Sequence, residues 1–120
     1  VTQPLLITAG EPAGIGPELS VKLALAQPQH VLVGDPELFE HTLDSLGLHA
    51  KLRAWVPGVK FKPEAGVIVY LPVALSESAQ TGVSNPANAR YVLNCLDAAV
   101  HAIQAGQAAG CVQSYELRQP

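Results

Sequence analysis

Between Ile7 and Glu18 the chain reads Ile-Thr-Ala-Gly-Glu-Pro-Ala-Gly-Ile-Gly-Pro-Glu. A short apolar run precedes this segment and a helical pattern follows it, so it sits at the carboxyl end of a strand, where open α/β sheets bind ligands. Glycines let backbone N–H groups approach an anion closely, and the start of a helix adds favourable partial positive charge. Two familiar phosphate loops are excluded. A Walker loop requires Lys followed by Ser or Thr after its last glycine, and Pro17 follows Gly16. A dinucleotide fingerprint requires a third glycine where Leu19 stands. Two readings remain open: a purely structural strand-to-helix turn, and a ligand loop. Glu11 faces a ligand in the second reading and accepts backbone hydrogen bonds within its own turn in the first.

Few other residues invite chemistry. His30 begins a strand, His41 faces outward on a helix, His49 sits in a turn, and His101 lies near the buried edge of a long helix. Each reads as solvated or hydrogen-bonded structure. Cys95 falls in an apolar helical pattern and Cys111 in an apolar run, so both are expected as buried free thiols. Their spacing fits no common zinc motif. Asn88 and Arg90 give the long helix an ordinary polar start, and Trp55 reads as packing rather than a stacking platform.

The elements that must carry these residues alternate. Pro4–Thr8, His30–Gly34, Lys51–Val56 and Val67–Leu71 read as strands, and Ala108–Val112 as the start of another. A helix is expected from Pro17 to Leu25, with Leu19, Leu23 and Ala26 as its apolar stripe, widened by Val21 and Leu25. Asp35 is an expected N-cap for a second helix that buries Leu38, Phe39, Thr42, Leu43 and Leu46 and ends at Gly47. The third helix, Ala87 to Ala105, places Val92, Cys95, Leu96, Ala99, Ala102 and Ile103 on one face. Residues 57–66 and 76–86 read as loops. Strands alternating with helices predict an α/β fold with a mainly parallel sheet flanked by helices.

A chain of 120 residues is long enough for one small core. Its net charge of −3 offers no basic footprint, so no nucleic-acid partner is expected. The longest uncharged stretch, Ala98 to Tyr115, contains His101 and several glutamines and is a poor membrane span. The opening Val-Thr-Gln-Pro has no signal-peptide pattern, and the expected location is cytoplasmic.

The run from Ile7 to Glu18 closely resembles the opening of the 4-hydroxythreonine-4-phosphate dehydrogenase family, with Ala9 a mild departure. Leu71-Pro-Val-Ala74, Thr81-Gly82 and Asn85-Pro-Ala-Asn-Ala-Arg-Tyr-Val92 resemble later family segments in the same order. The resemblance covers roughly residues 5 to 110. It implies a fold like that of isocitrate and isopropylmalate dehydrogenases, of which this chain would be a truncated piece. It also implies an oxidoreductase of vitamin B6 (pyridoxine) biosynthesis, a homodimer acting on a phosphorylated small molecule, with NAD and a divalent metal (Zn, Mg or Co). In such enzymes the secondary alcohol of the substrate passes a hydride to NAD, and the resulting keto acid loses carbon dioxide. A metal would polarise the alcohol oxygen and stabilise the enolate. The resemblance makes Gly10, Glu11, Gly14 and Gly16 the candidate cofactor-binding residues. The family's metal-binding histidines and its substrate-binding residues lie further along a longer chain. No catalytic residue and no metal ligand is therefore assigned here, and this chain by itself is expected to be inactive.

The ending departs from the family. Where an apolar strand and a Thr-Gly-Pro-like turn should follow Gly110, the chain reads Cys-Val-Gln-Ser-Tyr-Glu-Leu-Arg-Gln-Pro. The chain is accordingly divided into residues 1–110, an N-terminal α/β segment, and residues 111–120, an atypical tail expected not to be native family sequence. A frameshift, a misread gene end or deliberate shortening would each explain it. Two other functions compete: a related dehydrogenase of a four-carbon sugar-acid phosphate, and a non-catalytic α/β module that binds an anion or a partner at the glycine segment.

Overall fold

The computed structural model describes residues 3–10, 12, 14–75 and 86–113. The elements follow in the order β1 (Leu5–Thr8), α1 (Gly16–Ala26), β2 (Val31–Gly34), α2 (Pro36–Leu46), β3 (Lys51–Ala54), β4 (Val67–Pro72), α3 (Pro86–Gln104) and β5 (Gly110–Gln113). The strands form one five-stranded sheet in the order β3-β4-β2-β1-β5. Every pairing is parallel, with Leu6 opposite Val31 and Val31 opposite Val69 in the middle of the sheet. The expected α/β fold with a parallel sheet flanked by helices is the observed one.

Strands buried on both faces read as continuous apolar runs, and β2 is buried at all four positions. Alternate residues serve different layers. Leu6, Val31, Val33 and Val69 pack against Tyr91, Cys95, Ala99 and Ala102 of α3. Ile7, Leu32 and Ile68 pack against Val21 and Ala24 of α1 and Phe39 and Leu43 of α2. The connection from β3 to β4 contains no helix, although parallel neighbours require a crossover of about a dozen residues. Instead Trp55 turns inward to join the α3-side core, and Phe61 packs against that same cluster.

Local chemistry sets the boundaries. The Asp35 carboxylate accepts a hydrogen bond from Glu37 N at 2.9 Å and caps α2 as expected. At the other end of α2, Gly47 N donates to Asp44 O and Leu48 N to Leu43 O, the paired bonds that close a helix on a glycine. The same pattern ends α3, with Gly106 N bonded to Ile103 O and Gln107 N to Ala102 O.

Several expectations need correction. Helix α1 does not bury the stripe of Leu19, Leu23 and Ala26. Pro17, Ser20, Val21 and Ala24 face the core, while Leu19 and Ala26 are exposed. Small residues let the helix lie close to the sheet, and Ser20 is tolerated inside because its hydroxyl donates to Gly16 O at 2.8 Å. In α3, Tyr91 and Asn88 join the buried face and Val92, Leu96 and Ile103 are only half-buried. His101 is exposed rather than near the buried edge, and Cys111 is exposed rather than buried. Cys111 lies on β5, at an edge of the sheet, where neither face is covered as it is in the centre. Strand β3 ends at Ala54, two residues early, although Trp55 N still donates to Tyr70 O at 2.7 Å while its side chain joins the core.

Both outer strands are largely exposed, Val112 of β5 among them, and Leu93 and Val100 leave apolar surface on α3. Unpaired parallel edges with apolar surroundings promote association. Light scattering after size exclusion is expected to give a mass that rises with protein concentration; a monomer at all concentrations with a sharp, high-temperature unfolding transition would contradict this.

Candidate functional site

Parallel pairing brings the carboxyl ends of all the strands to one edge, and the amino ends of the helices with them. The glycine segment lies there, between β1 and α1. Gly10 has φ of +73°, a left-handed conformation in which a side chain would be strained. A Cβ at Gly10 would also lie 3.0 Å from Gln113 Nε2, so the Gln113 side chain lies beside the start of the turn. Gly14 is exposed, and Gly16 is the buried first residue of α1. Glu11 lies outside the described residues. Ile15 occupies the N-cap position of α1 and offers no side-chain cap, and Pro17 follows in the first turn. The described candidates therefore fall on a single strand-to-helix connection at the amino end of α1. Ile15 and Leu19, 41% and 37% exposed, add apolar surface beside it. The helical spacing predicts Leu19 in the core, and the structure leaves it exposed.

A second group of residues at this edge is more tightly built. Gly34, the last residue of β2, accepts a hydrogen bond from Val73 N at 3.0 Å. A Cβ at Gly34 would sit 2.6 Å from Phe39 Cζ and closer still to the Tyr91 hydroxyl. Asp35 N donates to that hydroxyl at 2.8 Å, and Leu75 N donates to Asp35 Oδ2 at 2.7 Å. Asp35 thereby joins the end of β2, the start of α2, the chain beyond β4 and the first turns of α3. The sequence indicated its capping role but not the two tertiary bonds.

Below this junction lies Cys95, which shares a hydrogen bond with Tyr91. Burial pushes the Cys95 thiol up to about 11; the Tyr91 hydrogen bond opposes this and the nearby Asp35 charge adds to it. Burial likewise raises Tyr91 far above the usual phenol range, with the Cys95 sulfur contributing. Both groups are neutral at physiological pH, and neither is an activated nucleophile or base.

Two buried polar atoms among the described residues have no hydrogen-bond partner, Thr8 Oγ1 and Asn88 Nδ2. Thr8 alternates with Ile7 and so lies on the α3 side of the sheet, and Asn88 is in the first turn of α3. At 2% and 1% exposure they face the interior behind the edge. Buried polar groups normally find partners, and neither of these atoms has one in the core between β1 and α3. In the sequence Asn88 is an ordinary polar helix start; only its burial distinguishes it.

The histidines do not converge. His30 Nδ1 accepts a hydrogen bond from Leu5 N at 3.1 Å, and His41, His49 and His101 are exposed. Among the described residues no cluster of three or more His, Cys, Asp or Glu could hold a metal ion. The turn, with Gly10 at positive φ and Gly14 exposed, leaves the backbone open to an anionic group such as a cofactor phosphate, whereas the described residues do not suit a resident metal.

No family model matches the chain. Its sequence is 41% identical over 112 residues to the 4-hydroxythreonine-4-phosphate dehydrogenase of Acidithiobacillus ferrooxidans, spanning 90% of this chain and 34% of that protein. It is 40% identical over 111 residues to the enzyme of the same name from Chromobacterium violaceum, spanning 90% and 33%. Among solved structures, the 4-hydroxythreonine-4-phosphate dehydrogenase of Klebsiella pneumoniae superposes with a TM-score of 0.84 at 22% identity, over 94% of this chain and 37% of that one. A terephthalate 1,2-cis-dihydrodiol dehydrogenase from Burkholderia xenovorans gives 0.74 at 28% identity, over 95% and 35%. The chain thus spans about a third of the length of the relatives it matches.

Two outcomes test the junction at Asp35. Gly34→Ala should destabilise the chain by about 1–3 kcal/mol, because neither the buried Phe39 nor the hydrogen-bonded Tyr91 can move freely; urea unfolding of both forms measures it, and a loss within error would refute the packing. The raised Cys95 thiol makes a pH prediction. Its proton is retained in the folded state and lost first from the unfolded chain, so stability is full below about pH 9 and falls as pH rises toward 11. Cys95→Ala should flatten that decline relative to the unsubstituted chain in urea melts across the interval.

Proposed function

We infer, for a chain homologous to about a third of the 4-hydroxythreonine-4-phosphate dehydrogenases, that it forms part of an NAD-dependent oxidoreductase of vitamin B6 biosynthesis. In this reading the glycine turn is the chain's contribution to cofactor binding. The carrying observation is the turn itself: Gly10 at positive φ, exposed Gly14 and an α1 amino end without a side-chain cap, all at the carboxyl edge of a parallel sheet. NAD, when bound, accepts the hydride removed from the substrate alcohol. The chain's own residues bind and orient. Backbone N–H groups of the turn face the cofactor's phosphates, and Ile15 and Leu19 offer an apolar contact beside them. The junction at Asp35 and Tyr91 holds the neighbouring strand ends in place.

The phosphorylated hydroxy-amino-acid substrate, the divalent metal, the homodimer and the cytoplasmic setting belong to the same reading. The groups that bind metal and move protons come from outside these residues, so the chain alone does not turn over substrate. Residues 111–120 contribute nothing to the reading beyond Gln113, which lies against Gly10.

A related dehydrogenase with another substrate is the second reading, favoured by the likeness to the dihydrodiol dehydrogenase. The glycine turn serves both. Titration of the isotopically labelled chain with NAD, followed by amide NMR, separates cofactor binding from the alternatives. NAD is expected to shift the Gly10, Gly14 and Gly16 amides, and Gly14→Val to weaken binding at least about tenfold while leaving the remaining spectrum folded. Shifts with inorganic pyrophosphate but not with NAD would replace the reading by an anion-binding module. No shift with either would remove the turn as a site.

A further inference from the structure

The opposite edge of the sheet holds a second concavity. Gln3, Gln29 and Gln107 precede β1, β2 and β5, so they gather at the amino ends of those strands. The connection after β3 folds up to meet them, and together they enclose a pocket of about 360 Å³. This volume is within the usual range for small-molecule sites. It lies at the far end of the strands from the glycine turn.

Its walls select a ligand type. Trp55, 6% exposed, belongs to the α3-side core, and Phe61 packs against that core. Both aromatic side chains are therefore held from behind and present fixed apolar surface to the pocket. The Gln3 carboxamide donates to Gly106 O, which ties the pocket rim to the turn before β5. Among the described residues Lys60 is the one charged residue in the lining and none of the lining residues is a carboxylate, in a chain whose net charge is −3. The pocket thus combines aromatic surface, neutral carboxamides that donate and accept hydrogen bonds, and a single cation.

We propose that this pocket binds a small planar aromatic acid, with its ring against Trp55 and Phe61 and its carboxylate at Lys60. Aromatic surface favours a flat ring over a puckered one. The ammonium group favours an anion over a neutral isostere, and none of the described lining residues carries a carboxylate that would repel one. The inference is independent of cofactor binding at the glycine turn.

Trp55 is the only tryptophan in the chain, so its fluorescence reports the pocket directly. Benzoate, benzamide and cyclohexanecarboxylate are the probes, each titrated into the full chain. Benzoate is expected to change the emission saturably at millimolar concentrations, and the other two to bind more weakly. Lys60→Gln, an exposed position that the fold does not need, should weaken benzoate about threefold, the size of an exposed ion pair, and leave benzamide unchanged. A linear, non-saturating response to benzoate would overturn the proposal. Equal binding of benzamide, or no effect of Lys60→Gln, would overturn the anion assignment. Equal binding of cyclohexanecarboxylate would overturn the requirement for a planar ring.

Discussion

Strand β2 is the constraint on which the molecule depends. It is buried on both faces and paired on both sides, with β1 through Leu6 and Val31 and with β4 through Val31 and Val69. A parallel ladder forces each chain segment to return to the same end of the sheet before the next strand begins. The returning segments become the layers that cover it: α1 and α2 on one face, and α3 with the Trp55–Phe61 connection on the other. The same constraint collects Gly10, Gly34 and the amino ends of the three helices at one edge. The candidate site is thus a consequence of strand direction before any particular side chain is considered.

What holds that edge in shape is polar rather than apolar. Asp35 accepts two backbone hydrogen bonds through its carboxylate and donates its own N–H to Tyr91. These bonds connect three elements and the chain leaving β4. Hydrogen bonds to a charged acceptor are the stronger kind, and the close approach at Gly34 leaves them little freedom to rearrange. Tyr91 and Cys95 remain protonated because burial disfavours their charged forms, so the junction carries its single negative charge on Asp35. The glycine turn alongside is built differently. Its shape comes from backbone conformation, with Gly10 at positive φ and Ile15 giving α1 no side-chain cap.

The homologous dehydrogenases are about three times as long as the part this chain matches. The described residues supply a sheet, a glycine turn and a pinned strand end, but their histidines are scattered and the buried Cys95 thiol is not activated. A binding platform and a reaction centre make different demands. The first can be made from backbone and glycine within one strand-to-helix unit, whereas the second requires titratable groups converging from several.

Much of this was legible in the sequence because it depends on neighbours along the chain. The alternation of strands and helices, the Asp35 cap, the glycine ends of α2 and α3 and the place of the glycine turn all follow from residue type and local spacing. The sequence could not indicate which face of α1 is buried, since Leu19 outweighs Ser20 in hydropathy and yet close packing on the sheet selects the smaller residue. Nor could it separate Cys95 from Cys111, because the difference is whether a strand or helix face is central or at the edge. The burial of Asn88, the hydrogen bonds of Asp35 to Tyr91 and Leu75, and the pocket beside Trp55 join residues distant in the chain. Sequence by itself determined the elements and their order, through local conformational preference and hydrophobic period. Only the tertiary structure decided which faces meet, because that depends on strand order and side-chain volume across the sheet.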